Sequence, residues 1–352
     1  MANVNTHHKW FKGVDSIRFV LALIVLLSHF SNPYVDVLTR SSQYFVRLTG
    51  QLLANAFNGT AAVIAFFIIS GFVIHYPNKQ GIQNLYTFWT KRFLRVLVPL
   101  IMVFFAGIKL GHPEKAVVWS LICELAYYAI YPYLAKLPLN WLKQFLVAYA
   151  MAALLIVVGA RHDVHAFFTQ SNQQYHSYYW QLGIFLTWLV GLPVWLLGVL
   201  LAEKIDQLQQ TTLNKLFVQR MGILLLSCFF VIARSYLHLS YILSMNLFAL
   251  LIYQWLKTEI IYYKQHQPNV FLEQLGKFSY SLYLCHPVIY LCLTWVMPNT
   301  LLTYPLLIIS TVGIAYMFYI LVEHPSHRLA VQLSKKMKLP EIKSPGINNI
   351  KA

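Results

Sequence analysis

Charged side chains are scarce in this chain. Asp, Glu, Lys and Arg make up 11% of its 352 residues, against about a quarter in a soluble domain, which excludes an ordinary water-soluble fold. Acidic residues are the rarest of them, 11 against 27 Lys and Arg. Cysteine is nearly absent: Cys123, Cys228, Cys285 and Cys292 all sit in apolar runs and none belongs to a CxxC pair. Neither a disulfide framework nor a metal site is expected from them. The opening "MANVNTHHKWFKGVD" lacks the short apolar core and small-residue cleavage site of a secretory signal, so none is expected there. No strong internal repeat is evident and paired helices broken by Gly or Pro are few, which weakens a transporter reading.

What is present is apolar. Hydrophobic residues make up 58% of the chain, with 23 Phe, 23 Tyr and 9 Trp, and runs near twenty residues recur at roughly 14–32, 57–76, 94–111, 117–135, 142–160, 180–201, 219–236, 239–256, 278–297 and 302–322. That pattern predicts an all-α polytopic membrane protein with about ten transmembrane helices. It forms one membrane domain over 1–330, followed by a basic tail over 331–352. The longest polar connection, 161–179, is too short for a further domain. A formal net charge of +16 would point to nucleic acid in a soluble chain. Alternating spans instead place 21 basic residues on the side of the N-terminus and 6 on the other, together the 27 of the composition. The positive-inside rule then puts both termini in the cytoplasm and removes nucleic acid as a partner.

Few ionisable groups fall inside the spans, and each needs a physical reason to be there. Arg18 and His29 stand eleven residues apart on the first helix, within roughly 20° of the same face and about 16 Å along the axis. Asp15 lies about 40° away on that stripe by the same geometry. One reading makes Arg18 a snorkelling anchor and His29 a helix end before Pro33; the other makes the stripe functional. Glu124, in "SLICELAYY", shares a face with Ser120 and Tyr128 one turn to either side. Counted from the span edges, Glu124 and His29 reach the same depth in a core about 30 Å thick. A carboxylate and an imidazole at one depth form either a working acid–base pair or an inert tie between helices.

Two further polar clusters flank these. "FWTKRFLRVLVPL" puts Arg92 and Arg95 three residues apart at a span start, suited to phosphate as well as to the positive-inside bias. Before it, Ser70-Gly71 in "AFFIISGFVIHY" marks a place of close approach, and His75 reads as an interface histidine. In "LGKFSYSLYLCHPVIY", Ser279, Tyr283 and His286 share one face, lining a cavity or forming an interhelical seam. Glu323, in "VEHPSHR", reads as locally paired.

Together "GVDSIRFVLALIVLLSHF", "FFIISGFVI", "FWTKRFLRVLVP", "SLICELAYYAIYP" and "LGKFSYSLYLCHPV" resemble, in order, the motifs of acyltransferase family 3, the integral membrane O-acyltransferases of surface glycans. The Arg-x10-His spacing of Arg18 and His29 and the Arg-x-x-Arg pair Arg92/Arg95 carry the resemblance most specifically. It departs at Leu125, where many members have a second acidic residue, and at Cys285, where an aromatic is common. The resemblance implies an inner-membrane enzyme that moves an acyl group, usually acetyl, from cytoplasmic acyl-coenzyme A to a hydroxyl of a surface polysaccharide or glycolipid sugar. It implies no permanently bound cofactor. His29 is then the catalytic histidine and Glu124 the acid supporting it. Arg18, Arg92 and Arg95, with Ser70, lie on the donor path, and Asp15, Ser120, Tyr128, Tyr283 and His286 line the cavity. Direct transfer with His29 as base and an acetyl-histidine relay both fit. The rival class is a secondary transporter or channel using Arg18, His29 and Glu124 as an ion or proton pathway. The acceptor sugar and the oligomeric state are not encoded in any recognisable motif.

Overall fold

In the computed structural model the described residues are 11–110, 115–171, 177–179, 181–208 and 210–336, and every regular element among them is helical. The helices are α1 (Val14–His29), α2 (Pro33–Thr39), α3 (Tyr44–Ala54), α4 (Gly59–His75), α5 (Leu85–Lys109), α6 (Lys115–Leu134), α7 (Trp141–Gly159) and α8 (Arg161–Thr169). They continue with α9 (Gly183–Lys204), α10 (Leu213–Tyr236), α11 (Tyr241–Tyr263), α12 (Val270–Gly276), α13 (Ser279–Val296), α14 (Tyr304–Phe318) and α15 (His324–Lys336). A π-helical turn, Tyr319–Glu323, joins the last two. Of the basic tail, 337–352 lie outside the described residues, as do Lys9 and loop residues 172–176.

Each of the ten expected apolar runs carries one long helix: α1, α4, α5, α6, α7, α9, α10, α11, α13 and α14. Six segments are long and apolar enough to cross a membrane, and seven if α1 and α2, bent by 57° at their break, form one span. The expectation of ten exceeds that number. The shortfall falls on α5, α11 and α13, which carry Lys91, Arg92 and Arg95, then Lys257 and Glu259, then Ser279, Ser281 and His286. The chain is thus a multi-helix membrane protein whose polar groups concentrate on a few helices.

Side-chain caps define where the helices begin. Asn58, Asn84, Asn140 and Thr212 each accept the backbone N–H three residues on, opening α4, α5, α7 and α10 and satisfying one of the donors a helix start leaves free. At the centre α4 crosses α9, and α1, α6, α7 and α11 pack around the pair. The crossing is closer than side chains allow: a Cβ on Gly71 would lie 2.1 Å from the Trp195 carbonyl oxygen, and one on Gly198 would lie 1.9 Å from that of Ile68. Small residues at such contacts let backbones approach where lipid offers no hydrophobic drive for association.

On the periphery, Leu146, Val147, Leu154 and Val157 of α7 and Phe217, Leu225 and Phe229 of α10 are exposed, the surface expected of a bilayer-facing helix. Residues 33–56, read from sequence as a loop, fold into the α2–α3 hairpin, which exposes Tyr44, Phe45 and Leu52. Polar ties fix the outer helices. The Arg220 guanidinium donates to both oxygens of buried Glu259 at 2.6 and 2.8 Å, joining α10 to α11 in the bidentate geometry that strengthens such pairs. Ser16 donates from its N–H and hydroxyl to one Glu273 oxygen at 3.0 and 2.7 Å, pinning the start of α1 to α12.

Candidate active site

Helices α1, α4, α5, α6 and α13 enclose a cavity of about 910 Å³, counting the solvent at its mouth. Arg18, Arg92 and Arg95 line it, with Ser70, Ser120, Glu124, Tyr128, Ser279, Tyr280 and Tyr283 and an apolar wall that includes Val63, Phe66, Val96 and Leu121. Among the lining residues three arginines stand against one carboxylate, a cationic wall that suits an anionic ligand, with the Asp15 and Glu323 carboxylates outside the lining offsetting Arg18 and Arg95.

The periodicity of α6 decides what faces inward. Ser120, Glu124 and Tyr128 recur every four residues and all three line the cavity, as positions on one helical face must. The Tyr128 hydroxyl donates to Glu124 Oε1, and Ser70 Oγ donates to the same oxygen at 3.1 Å. Trp195 Nε1 donates in turn to Ser70 Oγ at 3.3 Å, so the α4–α9 crossing at Gly71 also places Ser70. Glu124 Oε2 makes no hydrogen bond among the described residues. Further along, Ser120 Oγ donates to the Val117 carbonyl at 2.9 Å. Its single hydrogen being used, the Tyr283 hydroxyl donates to Ser120 Oγ across 2.6 Å.

At the arginine end, Arg18 pairs with Asp15 at 3.3 Å. Arg95 Nη2 approaches Glu323 Oε1 at 4.0 Å. Arg92 lines the cavity and makes no hydrogen bond or salt bridge among the described residues. Glu323, 3% exposed, is not locally paired as its sequence context implied. It accepts the Ser281 hydroxyl at 2.6 Å and the Ser281 N–H at 3.2 Å, linking the π-helical turn to α13 and Arg95 to both.

His29 ends α1 and is exposed, outside the cavity lining. Its hydrogen-bond partner is not Glu124. His29 Nδ1 lies 2.8 Å from His286 Nε2, with the rings stacked at 5.0 Å. Equal depth brought Glu124 and His29 to one level from sequence, but their partners differ: Glu124 bonds to α4 and its own helix, His29 to α13. Tyr283, one turn before His286, lines the cavity, with its ring 6.3 Å from that of His286. Helix α13 therefore connects the cavity to the histidine pair. His75, read from sequence as an interface histidine, has a protein partner on each ring nitrogen. It is buried, hydrogen-bonded to the Tyr131 hydroxyl at 2.9 Å and to Glu203 at 2.5 Å.

Sequence reasoning missed Tyr280, whose hydroxyl donates to the Val96 carbonyl at 2.9 Å, as well as Trp195 and the reach of Glu323. Tyr280 offered a signal, since it adjoins Ser279 in a stretch already marked as polar. Trp195 and Glu323 act across long sequence separations and offered none. Of the expected residues, Arg18, Ser70, Arg92, Arg95, Ser120, Glu124, Tyr128 and Tyr283 share the cavity, while Asp15, His29 and His286 stand beside it. Among the described residues no cluster of three or more His, Cys, Asp or Glu side chains is placed to hold a metal, and all four cysteines are free.

The sequence matches one family model, described as an acyltransferase domain (acyltransferase family 3), over residues 11–320. No curated protein matches it, and no solved structure does.

Proposed function

On the premise that the chain belongs to acyltransferase family 3, we propose that this membrane acyltransferase moves an acetyl group from acetyl-coenzyme A to a hydroxyl of a surface polysaccharide or glycolipid sugar. The observation that carries the reading is the cavity lined by Arg18, Arg92 and Arg95, Arg92 having no hydrogen bond or salt bridge among the described residues, set at the foot of the helix that ends in exposed His29. Arginine forks suit the phosphates of a coenzyme A donor. The pantetheine arm then runs past Glu124, whose free oxygen accepts an amide N–H, toward Ser120 and Tyr283. The reading puts the arginine end of the cavity toward the cytoplasm, where the donor is made, with both termini on that side of the inner membrane as the distribution of basic residues predicts.

In the transfer step, His29 takes the proton of the acceptor hydroxyl as its oxygen bonds to the acyl carbon. The carbon–sulfur bond breaks, and the coenzyme A thiolate leaves with the proton returned from His29. No cofactor or metal is consumed. Membership of an acyltransferase family favours this reading over an ion or proton pathway through Arg18, His29 and Glu124. The test is deletion of the gene and mass analysis of the surface glycans. Loss of acetyl groups that returns on complementation is expected, and an unchanged acetyl pattern overturns the proposal.

A further inference from the structure

The proton positions in the histidine pair follow from chemistry at its far end. Pro287 has no N–H, so the Tyr283 carbonyl four residues earlier loses its helical donor. His286 Nδ1 fills the vacancy, 2.8 Å from the Tyr283 oxygen and 3.2 Å from that of Leu282. A carbonyl oxygen only accepts, so Nδ1 of His286 carries the hydrogen. His286 is 0% exposed, and with only carbonyls at that end a doubly protonated ring there would be a buried, uncompensated cation. It is therefore neutral, with a bare Nε2, and Nε2 faces His29 Nδ1 at 2.8 Å. The hydrogen in that contact belongs to His29, and in the neutral ring the bare nitrogen of His29 is Nε2.

We infer that His286 is a positioning residue that fixes His29 as its Nδ1–H tautomer, so that Nε2 is the atom that accepts the acceptor proton; this rests on the base role proposed above. The His286-Pro287 dipeptide is the device. Proline frees a carbonyl, the carbonyl orients His286, and His286 orients His29. When Nε2 takes the proton, the Nδ1–H bond to His286 persists and steadies the imidazolium, and the proton leaves again from Nε2 to the departing thiolate. The arrangement does with a neutral imidazole what a carboxylate does in other hydrolytic and transfer sites.

Two measurements test it. In full-length protein in lipid nanodiscs, the ¹⁵N shifts of labelled histidine, assigned with His29→Gln, should show the bare nitrogen of His29 at Nε2. A bare Nδ1 overturns the inference, whatever the substrate. In membrane vesicles supplied with radiolabelled acetyl-coenzyme A, His286→Phe should slow the maximal transfer rate about a hundredfold or more, the weight of a correctly presented general base, with KM for acetyl-coenzyme A unchanged. His286→Gln, whose carboxamide oxygen again accepts from His29 Nδ1–H, should recover at least about tenfold of that loss. Equal rates for the Phe and Gln variants, or wild-type rate in His286→Phe, overturn the inference. Full transfer in His29→Ala would instead overturn the base role itself, leaving the tautomer to the spectra.

Discussion

Replacing Gly71 with alanine tests whether the site depends on the α4–α9 crossing. The new Cβ would lie 2.1 Å from the Trp195 carbonyl oxygen, so the helices must part by about 1.3 Å to regain an ordinary 3.4 Å contact. Overpacking costs about 1–3 kcal/mol, and backbone against backbone has no rotamer to yield, which sets the cost near about 3 kcal/mol. Alanine returns about 1 kcal/mol of helix propensity, leaving a net loss of about 2 kcal/mol, or about thirtyfold in the folding equilibrium. The same displacement carries the Trp195–Ser70 hydrogen bond, already 3.3 Å, out of range, and Glu124 loses the support of Ser70. Gly71→Ala should therefore melt at a lower temperature in detergent and transfer acetyl groups more slowly, although residue 71 is absent from the cavity lining. Gly222→Ala and Gly313→Ala are the controls, since nothing lies within 4 Å of either added Cβ; both should be neutral or more stable. If Gly71→Ala melts and works like these controls, the reasoning from the crossing is wrong.

Arg92→Ala removes unpaired donors from the cavity; a hydrogen bond to a charged group is worth about 1.5–3 kcal/mol, so KM for acetyl-coenzyme A should rise about tenfold to a hundredfold with the maximal rate largely kept. Titration of the donor in vesicles checks this, and an unchanged KM removes Arg92 from donor binding. Asp163, on α8, is 3% exposed and accepts a hydrogen bond from Gln181; burial pushes its carboxyl up to about 6 from an ordinary value of about 3.9. The fold thus binds this proton more tightly than the unfolded chain, and stability from this group falls as pH rises from about 4 to about 6 and is flat above. Asp163→Asn should erase that slope in melting curves, and an unaltered slope excludes Asp163 as its source.

The long helices were legible because a span is a local property: a run of apolar residues near twenty long is visible without knowing its neighbours. The α2–α3 hairpin was not, because its helices of 7 and 11 residues mix polar and apolar positions too briefly to separate from a loop. Within the site, whatever depended on one helix was readable. Ser120, Glu124 and Tyr128 share a face through the helical period, and Arg18 and His29 share a stripe for the same reason. What joins helices was not readable. His286 is 257 residues from His29, and Glu323 is 42 from Ser281; no period links such pairs. Depth alone matched His29 with Glu124, since depth leaves the direction around the helix axis open, and packing gave each a different partner.

The central claim is that His29 carries acyl transfer from a donor held in the cationic cavity. Its most direct test is transfer of label from radiolabelled acetyl-coenzyme A to membrane glycan, comparing wild-type and His29→Ala proteins at equal membrane abundance. The account predicts transfer in the wild type and none above background in His29→Ala, with acetyl-coenzyme A still bound. Undiminished transfer by His29→Ala would contradict it.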